Sequence, residues 1–94
     1  MIKVLVACRA GVGSSLMLKI KLNEVIAEND YPITVEHSSL DELEGFDGPI
    51  VVTLSDVAAE LKDRGIRKEI VGINNILDKN EIKNKIQIAL KNIE

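Results

Sequence analysis

An apolar run, Ile2–Ala7, gives way at Cys8-Arg9-Ala10-Gly11-Val12-Gly13-Ser14-Ser15 to a segment, Leu16–Glu28, that reads as helix. No other stretch restricts the fold as much. The apolar run is of β-branched type and has the character of a strand buried on both faces. Two glycines then signal a turn, and two serines a helix start. Strand, turn and helix in that order bring several backbone N–H groups to bear on whatever sits beside Cys8. The first four N–H groups of a helix lack intrahelical partners, and the helix dipole places partial positive charge there. An anion is therefore stabilised at that end, whether a phosphate or a thiolate. Gly11 and Gly13 allow positive φ and close approach of backbone to a ligand, while the hydroxyls of Ser14 and Ser15 serve as caps or as donors to an oxyanion. The stretch reads as an anion cradle with a nucleophile in it. Cys8 is the candidate catalytic nucleophile, against the plainer reading of a small buried hydrophobe, and Arg9, Ala10, Gly11, Val12, Gly13, Ser14 and Ser15 are the candidate phosphate-binding residues.

The rest of the chain supplies a frame for that loop. The helix after it carries a stripe at Leu18, Leu22, Val25 and Ile26, with Met17 and Ile20 alongside for packing on a sheet. It should stop near Asn29-Asp30, just ahead of Pro32. Ile33–His37 alternates apolar and polar residues, as an edge strand with one wet face does. That parity puts His37, the only histidine, on the inward side or at the strand's end, where a partnered structural residue is the plain reading. Leu40–Glu44 has the makings of one helical turn, and Asp47-Gly48-Pro49 of a turn. Ile50–Leu54 is a second buried strand, after which Ser55-Asp56 should cap a short helix through Val57, Ala58 and Leu61 that closes at Arg64 and Gly65. Ile70–Ile73 is the last strand. Asp78 and Glu81 have capping-box spacing, and the helix they start carries the stripe Ile82, Ile86, Ala89, Leu90 and Ile93.

The order β-α-β-β-α-β-α, with mostly buried strands, implies an α/β fold: a three-layer, four-stranded parallel sheet flanked by helices. If the second and third strands flank the first on opposite sides, the order is 2-1-3-4. The switch point then falls at the carboxyl end of strand 1, where Cys8 is. Thr53, Ser55 and Asn74 end neighbouring strands and are candidates for the rim of the site.

Composition narrows the function. At 94 residues the chain is expected to be one domain, 1–94. Only 2% of it is aromatic, so stacking on nucleic-acid bases has little to work with, and the net charge of −3 agrees in excluding nucleic acid as a partner. That charge is partitioned. Residues 1–22 hold Lys3, Arg9, Lys19 and Lys21 and no acid, whereas residues 23–60 hold ten acids and no Lys or Arg. Positive charge thus gathers around the predicted anion site. One cysteine forms no internal disulfide, which points to a reducing, cytoplasmic setting. Leu5-Val6-Ala7-Cys8 resembles a lipoprotein cleavage site, but the seven residues before Cys8 leave no room for a charged start and an apolar core. No apolar run approaches the roughly 18 residues of a membrane span.

Taken together, these residues resemble the IIB component of the bacterial phosphoenolpyruvate-dependent sugar phosphotransferase system, and within it the ascorbate-type proteins. The resemblance covers essentially the whole chain: a first strand ending in Cys8, the Gly11-x-Gly13-Ser14-Ser15 loop, the helix opening Leu16-Met17-Leu18-Lys19-Ile20-Lys21, and the segment Val71-Gly72-Ile73-x-Asn75-Ile76-Leu77. Galactitol-type relatives share the loop, so the loop marks the superfamily and not the sugar. The resemblance implies that Cys8 takes a phosphoryl group from a histidine of the IIA protein or domain. It then passes that group to the sugar, ascorbate in this type, bound by the membrane transporter IIC. It also implies a four-stranded parallel sheet, no cofactor or metal, and contact with the membrane only through IIC. Relatives more often carry Gly at the position of Arg9.

The loop also has the spacing of cysteine phosphatases, in which an Arg follows five residues after the cysteine. Ser14 occupies that position here, so the guanidinium that clamps a phosphoryl transition state is missing. A small cysteine phosphatase or an arsenate-reductase-like enzyme is the alternative built on the same loop, the latter wanting further cysteines.

Overall fold

Strand β1 (Ile2–Cys8) lies inside a four-stranded sheet, between β2 (Ile33–Ser39) and β3 (Ile50–Leu54), with β4 (Glu69–Ile73) beyond β3. In this computed structural model, residues 2–8, 14–39, 43 and 45–93 are described. All three pairings are parallel, and the order is β2-β1-β3-β4, as the pattern of strands and helices implied. Helices α1 (Ser14–Asn29), α2 (Ser55–Asp63) and α3 (Lys79–Asn92) complete the chain.

Strand alternation divides the core into two layers. Val4, Val6, Ile50, Val52, Val71 and Ile73 meet Leu18, Leu22 and Val25 of α1 and Ile82, Ile86 and Ala89 of α3. Leu5, Ala7, Val51 and Ile70 face the other way, onto Val57, Ala58 and Leu61 of α2 and onto Leu43. Each fully buried Leu, Ile or Val contributes about 1.5–3 kcal/mol relative to exposure. The sheet is thus covered on both sides, which is what a continuous apolar strand such as Ile50–Leu54 requires.

Both glycine-type and proline-type helix stops occur where the sequence put them. At the end of α1, Asp30 takes φ 56° and the Tyr31 N–H reaches the Ile26 carbonyl at 3.1 Å, with Pro32 following. At the end of α2, Gly65 has φ 76°, the Gly65 N–H bonds the Lys62 carbonyl and the Ile66 N–H bonds that of Leu61. The left-handed residue lets the chain turn back and satisfy carbonyls that the helix leaves open.

Three expectations are corrected. Met17 and Ile20 do not pack on the sheet: they are 39% and 45% exposed, beside Leu16 at 53%. At 100° per residue Ile20 lies across the helix from the Leu18–Leu22–Val25 stripe and Met17 on its flank. His37 keeps the parity of Ile33 and Val35 but is not buried. Burial fades along β2 from Ile33 through half-buried Val35 to exposed His37, because β2 is an outermost strand with a neighbour on one side only. Ser55 and Asp56 do not cap α2, since β3 runs straight into the helix, Leu54 holds the cap position and no side chain caps it. The turn expected at 40–44 is described at Leu43, whose carbonyl accepts from the Phe46 N–H; residues 40–42 and 44 lie outside the described residues.

The start of α3 realises half a capping box. Asp78 accepts from the Glu81 N–H at 3.1 Å. Glu81 does not return the bond to Asp78; its carboxylate accepts instead from the N–H groups of Asn74 at 2.8 Å and Asn75 at 2.9 Å, and from the Lys85 ammonium at 2.6 Å. Burial opposes its ionisation, but the bonds from Lys85, Asn74 and Asn75 and the charge of Lys85 outweigh burial and hold the carboxyl at about 2 against an ordinary 4.5. The folded value lies below the unfolded one, so this stabilisation is complete above pH ~4.5 and disappears as pH falls toward 2. Glu81→Gln is therefore expected to lower stability at pH 7 by on the order of 2 kcal/mol, discounted for partial exposure, and to narrow the gap to wild type at pH 2–3. Urea melts at the two pH values check it, and an equal loss at both would refute the electrostatic account.

Candidate functional site

Cys8 closes β1 at the carboxyl edge of the sheet, in register with Ser39 of β2. The chain re-enters the described residues at Ser14, already the first residue of α1, so the helix begins two residues earlier than Leu16. The crossover from β1 goes to β2 on one side, and the chain then returns to β3 on the other. In a parallel sheet such a reversal opens a crevice at the carboxyl ends of the strands, where ligands bind. Cys8 stands at that crevice with the N-terminus of a 16-residue helix following it, and that end carries the unpartnered amides and positive dipole that favour an anion. Arg9, Ala10, Gly11, Val12 and Gly13 lie outside the described residues, as do the side chains of Cys8, Ser14 and Ser15.

The three rim candidates part company. The β1–β3 register, Val4 to Ile50, Leu5 to Val51 and Val6 to Val52, continues to set Thr53 beside Ala7, one residue below Cys8. Thr53 is 1% exposed. Ser55 and Asn74 instead line a hollow of about 430 Å³ along the outer edge of β4, with Ala58, Gly72, Lys85 and Ile88. Strand spacing puts β4 about 10 Å from β1. Asn74 is also tied down through its backbone N–H by Glu81. Of the three, only Thr53 adjoins the Cys8 strand.

His37 shares the carboxyl half of β2, opposite Val6, and is exposed. It lines a hollow of about 290 Å³ with Lys3, Glu36, Ser38 and Phe46. Sequence reasoning did not anticipate two features near the rim. One is the Glu81 clamp on the Asn74–Asn75 amides, for which the Asp78-x-x-Glu81 spacing was a partial signal. The other is the apolar strip Leu16, Met17 and Ile20 on the first two turns of α1, next in sequence to the loop and interleaved with Lys19 and Lys21.

Comparison with known proteins bears on this arrangement as a whole. Ascorbate-specific PTS system EIIB components are similar over nearly their entire lengths: the Mycoplasma pneumoniae protein is 29% identical over 89 residues, covering 93% of each chain. The Salmonella typhimurium protein is 27% identical over 94 residues, covering 96% of this chain and 90% of its own. Among solved structures, the lactose-specific IIB component domain of the phosphoenolpyruvate:carbohydrate phosphotransferase system from Streptococcus pneumoniae superposes with a TM-score of 0.58. That likeness covers 99% of this chain and 98% of the other at 16% identity, and it shows a shared fold. The family described as "PTS system, Lactose/Cellobiose specific IIB subunit" matches residues 3–88. With that match spanning all four strands and most of α3, the chain belongs to the PTS IIB family and is a phosphotransferase component of a sugar phosphotransferase system.

Proposed function

We propose that this chain is a cytoplasmic phosphoryl carrier in which Cys8 shuttles phosphate between a IIA phosphohistidine and a sugar held by the membrane transporter IIC. The observation that carries the reading is the placement of Cys8 at the switch point of the sheet, on the strand that leads into α1. In the first step the Cys8 thiolate attacks phosphorus in line; the S–P bond forms, the P–N bond breaks, and the imidazole leaves and takes up a proton. In the second, a sugar hydroxyl attacks phosphorus, the S–P bond breaks, the thiolate is regenerated, and the hydroxyl proton passes to solvent or a base on the acceptor side. Positioning and electrostatic stabilisation supply the catalysis in such transfers, and Arg9, Ala10, Gly11, Val12, Gly13, Ser14 and Ser15 provide both. Residues 1–94 act as a single carrier domain. Among the described residues no helix is long and apolar enough to cross a membrane, so the membrane step belongs to IIC.

For the sugar we propose ascorbate. The relatives of that specificity match in sequence over nine-tenths of their length or more, whereas the lactose-specific neighbour shares the fold at 16% identity.

The test supplies phosphoenolpyruvate, the general carriers, IIA and vesicles bearing IIC. Phosphate should be found on Cys8 by mass spectrometry, and ascorbate should be phosphorylated in preference to galactitol or lactose. Phosphate on Ser14, Ser15 or His37 would overturn the cysteine assignment, and preference for another sugar would overturn the choice of ascorbate. With p-nitrophenyl phosphate alone, negligible turnover is expected, because position 14 lacks the arginine and the loop lacks an acid for the leaving group. Sustained Cys8-dependent release of p-nitrophenol would favour the phosphatase instead.

A further inference from the structure

Strand β4 is outermost in the sheet and pairs with β3 alone. The Glu69 N–H bonds the Pro49 carbonyl at 2.9 Å, so the backbone of Glu69 is turned toward β3. Peptide groups alternate in direction along a strand. Those of Val71 and Ile73 therefore also point to β3, and those of Ile70 and Gly72 point out of the sheet. The outward groups open onto the hollow of about 430 Å³ that is walled by Ala58 and Ala59 of α2 and by Ile88 of α3. Ile88 is 59% exposed there. An open strand edge with an apolar residue beside it is a template for pairing with another chain.

A second copy of this chain matches that template in its backbone. Two β4 edges brought together antiparallel about a two-fold axis at Val71 set Ile70 of one copy opposite Gly72 of the other. Residues so placed exchange both of their N–H···O bonds, and the symmetry repeats the exchange on the far side of the axis. The pairing thus needs the N–H and C=O of both Ile70 and Gly72. In the structure the Gly72 carbonyl is already taken: Lys85 reaches over from α3 and donates to it at 2.5 Å. Glu81, one turn earlier on α3, holds the lysine at 2.6 Å. The same carboxylate accepts the N–H of Asn74 at 2.8 Å, the next outward amide after Gly72.

We infer that Glu81 and Lys85 strap the outer edge of β4 shut and so hold the chain as a monomer, by occupying the carbonyl that edge-to-edge pairing with a second copy requires. A strand laid against β4 has to displace the Lys85 ammonium from Gly72 or cover it where it stands. Either way a charge loses solvent or a bond, and burying a charge without new partners is costly. The two side chains are 34% and 14% exposed for Lys85 and Glu81, so an added strand would cover what water still reaches them. Lysine on an edge is a common bar to strand addition; here a carboxylate on the same helix face fixes it in that position. The strap works without Cys8 and stands apart from the carrier reading.

Sedimentation velocity on the full chain, run over a hundredfold range of concentration, is the test. Wild type is expected to sediment as a monomer throughout. Lys85→Met keeps the apolar stem and removes the charge and the donor, so it should self-associate about tenfold more tightly than wild type or better, whereas Lys85→Arg should stay monomeric. Amide hydrogen exchange locates the contact: protection of the Ile70 and Gly72 N–H groups should rise with concentration in Lys85→Met. Adding Ile88→Glu to that variant puts a charge back beside the paired edges and is expected to return it to monomer. If Lys85→Met does not fold, Lys85→Leu is read in the same assays against the same expectations. Wild-type dimers with protected Ile70 and Gly72 amides would overturn the inference. So would a Lys85→Met protein that stays monomeric, or one that dimerises while those two amides exchange as before.

Discussion

Replacing Cys8 by alanine is expected to leave the circular dichroism spectrum of the native protein and to reduce phosphoryl transfer to the sugar by about 10⁴-fold or more, as loss of an essential nucleophile does. The parallel pairing of β1 with β2 runs through the Cys8 backbone to Ser39 and asks nothing of the side chain. The α1 N-terminus and the switch-point crevice also persist in the variant, so binding of IIA and inorganic phosphate should survive while covalent transfer does not. Measuring label passed from phosphoenolpyruvate to sugar, with the variant's binding to IIA as a control, separates the two. His37 is the rival acceptor, exposed on the adjacent strand opposite Val6. A Cys8→Ala protein that still accumulates acid-labile, base-stable phosphate would place the carrier function on His37.

Gly72→Val is expected to destabilise the fold by about 3 kcal/mol, an overpacking cost at a contact between backbone elements. For a domain of this size, that lowers the melting temperature by roughly 15 °C. A Cβ at residue 72 would stand 2.8 Å from the Ala58 Cβ and 3.1 Å from the Ser55 Cα. Neither is the far end of a flexible side chain, so β4 and α2 must move apart. The separation would reach the site, because α2 continues directly from β3 and Thr53 lies two residues before Ser55. Calorimetry on Gly72→Val, Gly72→Ala and the Gly72→Ala, Ala58→Gly pair checks the mechanism. The double variant should recover part of the single variant's loss, since one of the two obstructing atoms is gone. Melting of Gly72→Val within 3 °C of wild type would show that the two elements are less firmly seated than their spacing implies.

Much of the fold was legible before any coordinates. Each strand is a short apolar or alternating run, Asp78 is a cap whose side chain accepts the Glu81 N–H, and Gly65 is a left-handed stop. These are local signals, set by steric and hydrogen-bonding preferences within a few residues. Strand order followed as well, because a β-α-β-β-α-β chain with buried parallel strands has few right-handed arrangements open to it. The cysteine and its glycine loop could also be read as chemistry, since residue types and spacing suffice to define an anion cradle.

Other features depended on partners far away in sequence. The stripe on α1 was readable, but how much of the helix it covers was not: Met17 and Ile20 stay in water because the sheet meets only a narrow arc of α1. Capping-box spacing pointed Glu81 at Asp78, and the end of β4 claimed the carboxylate instead by offering two amides and a lysine. Ser55, Asn74 and Thr53 all end strands on one rim, yet only strand order and register separate the first two, at the β4 edge, from Thr53 beside β1. Gly72 carries no signal of its own; its role exists only because α2 lies against it. The sequence by itself determined the elements and their order, because those follow from backbone preferences and hydrophobic period. Tertiary structure alone decided which polar groups find partners and which surfaces stay exposed, because those outcomes depend on which distant segments the fold packs against each group.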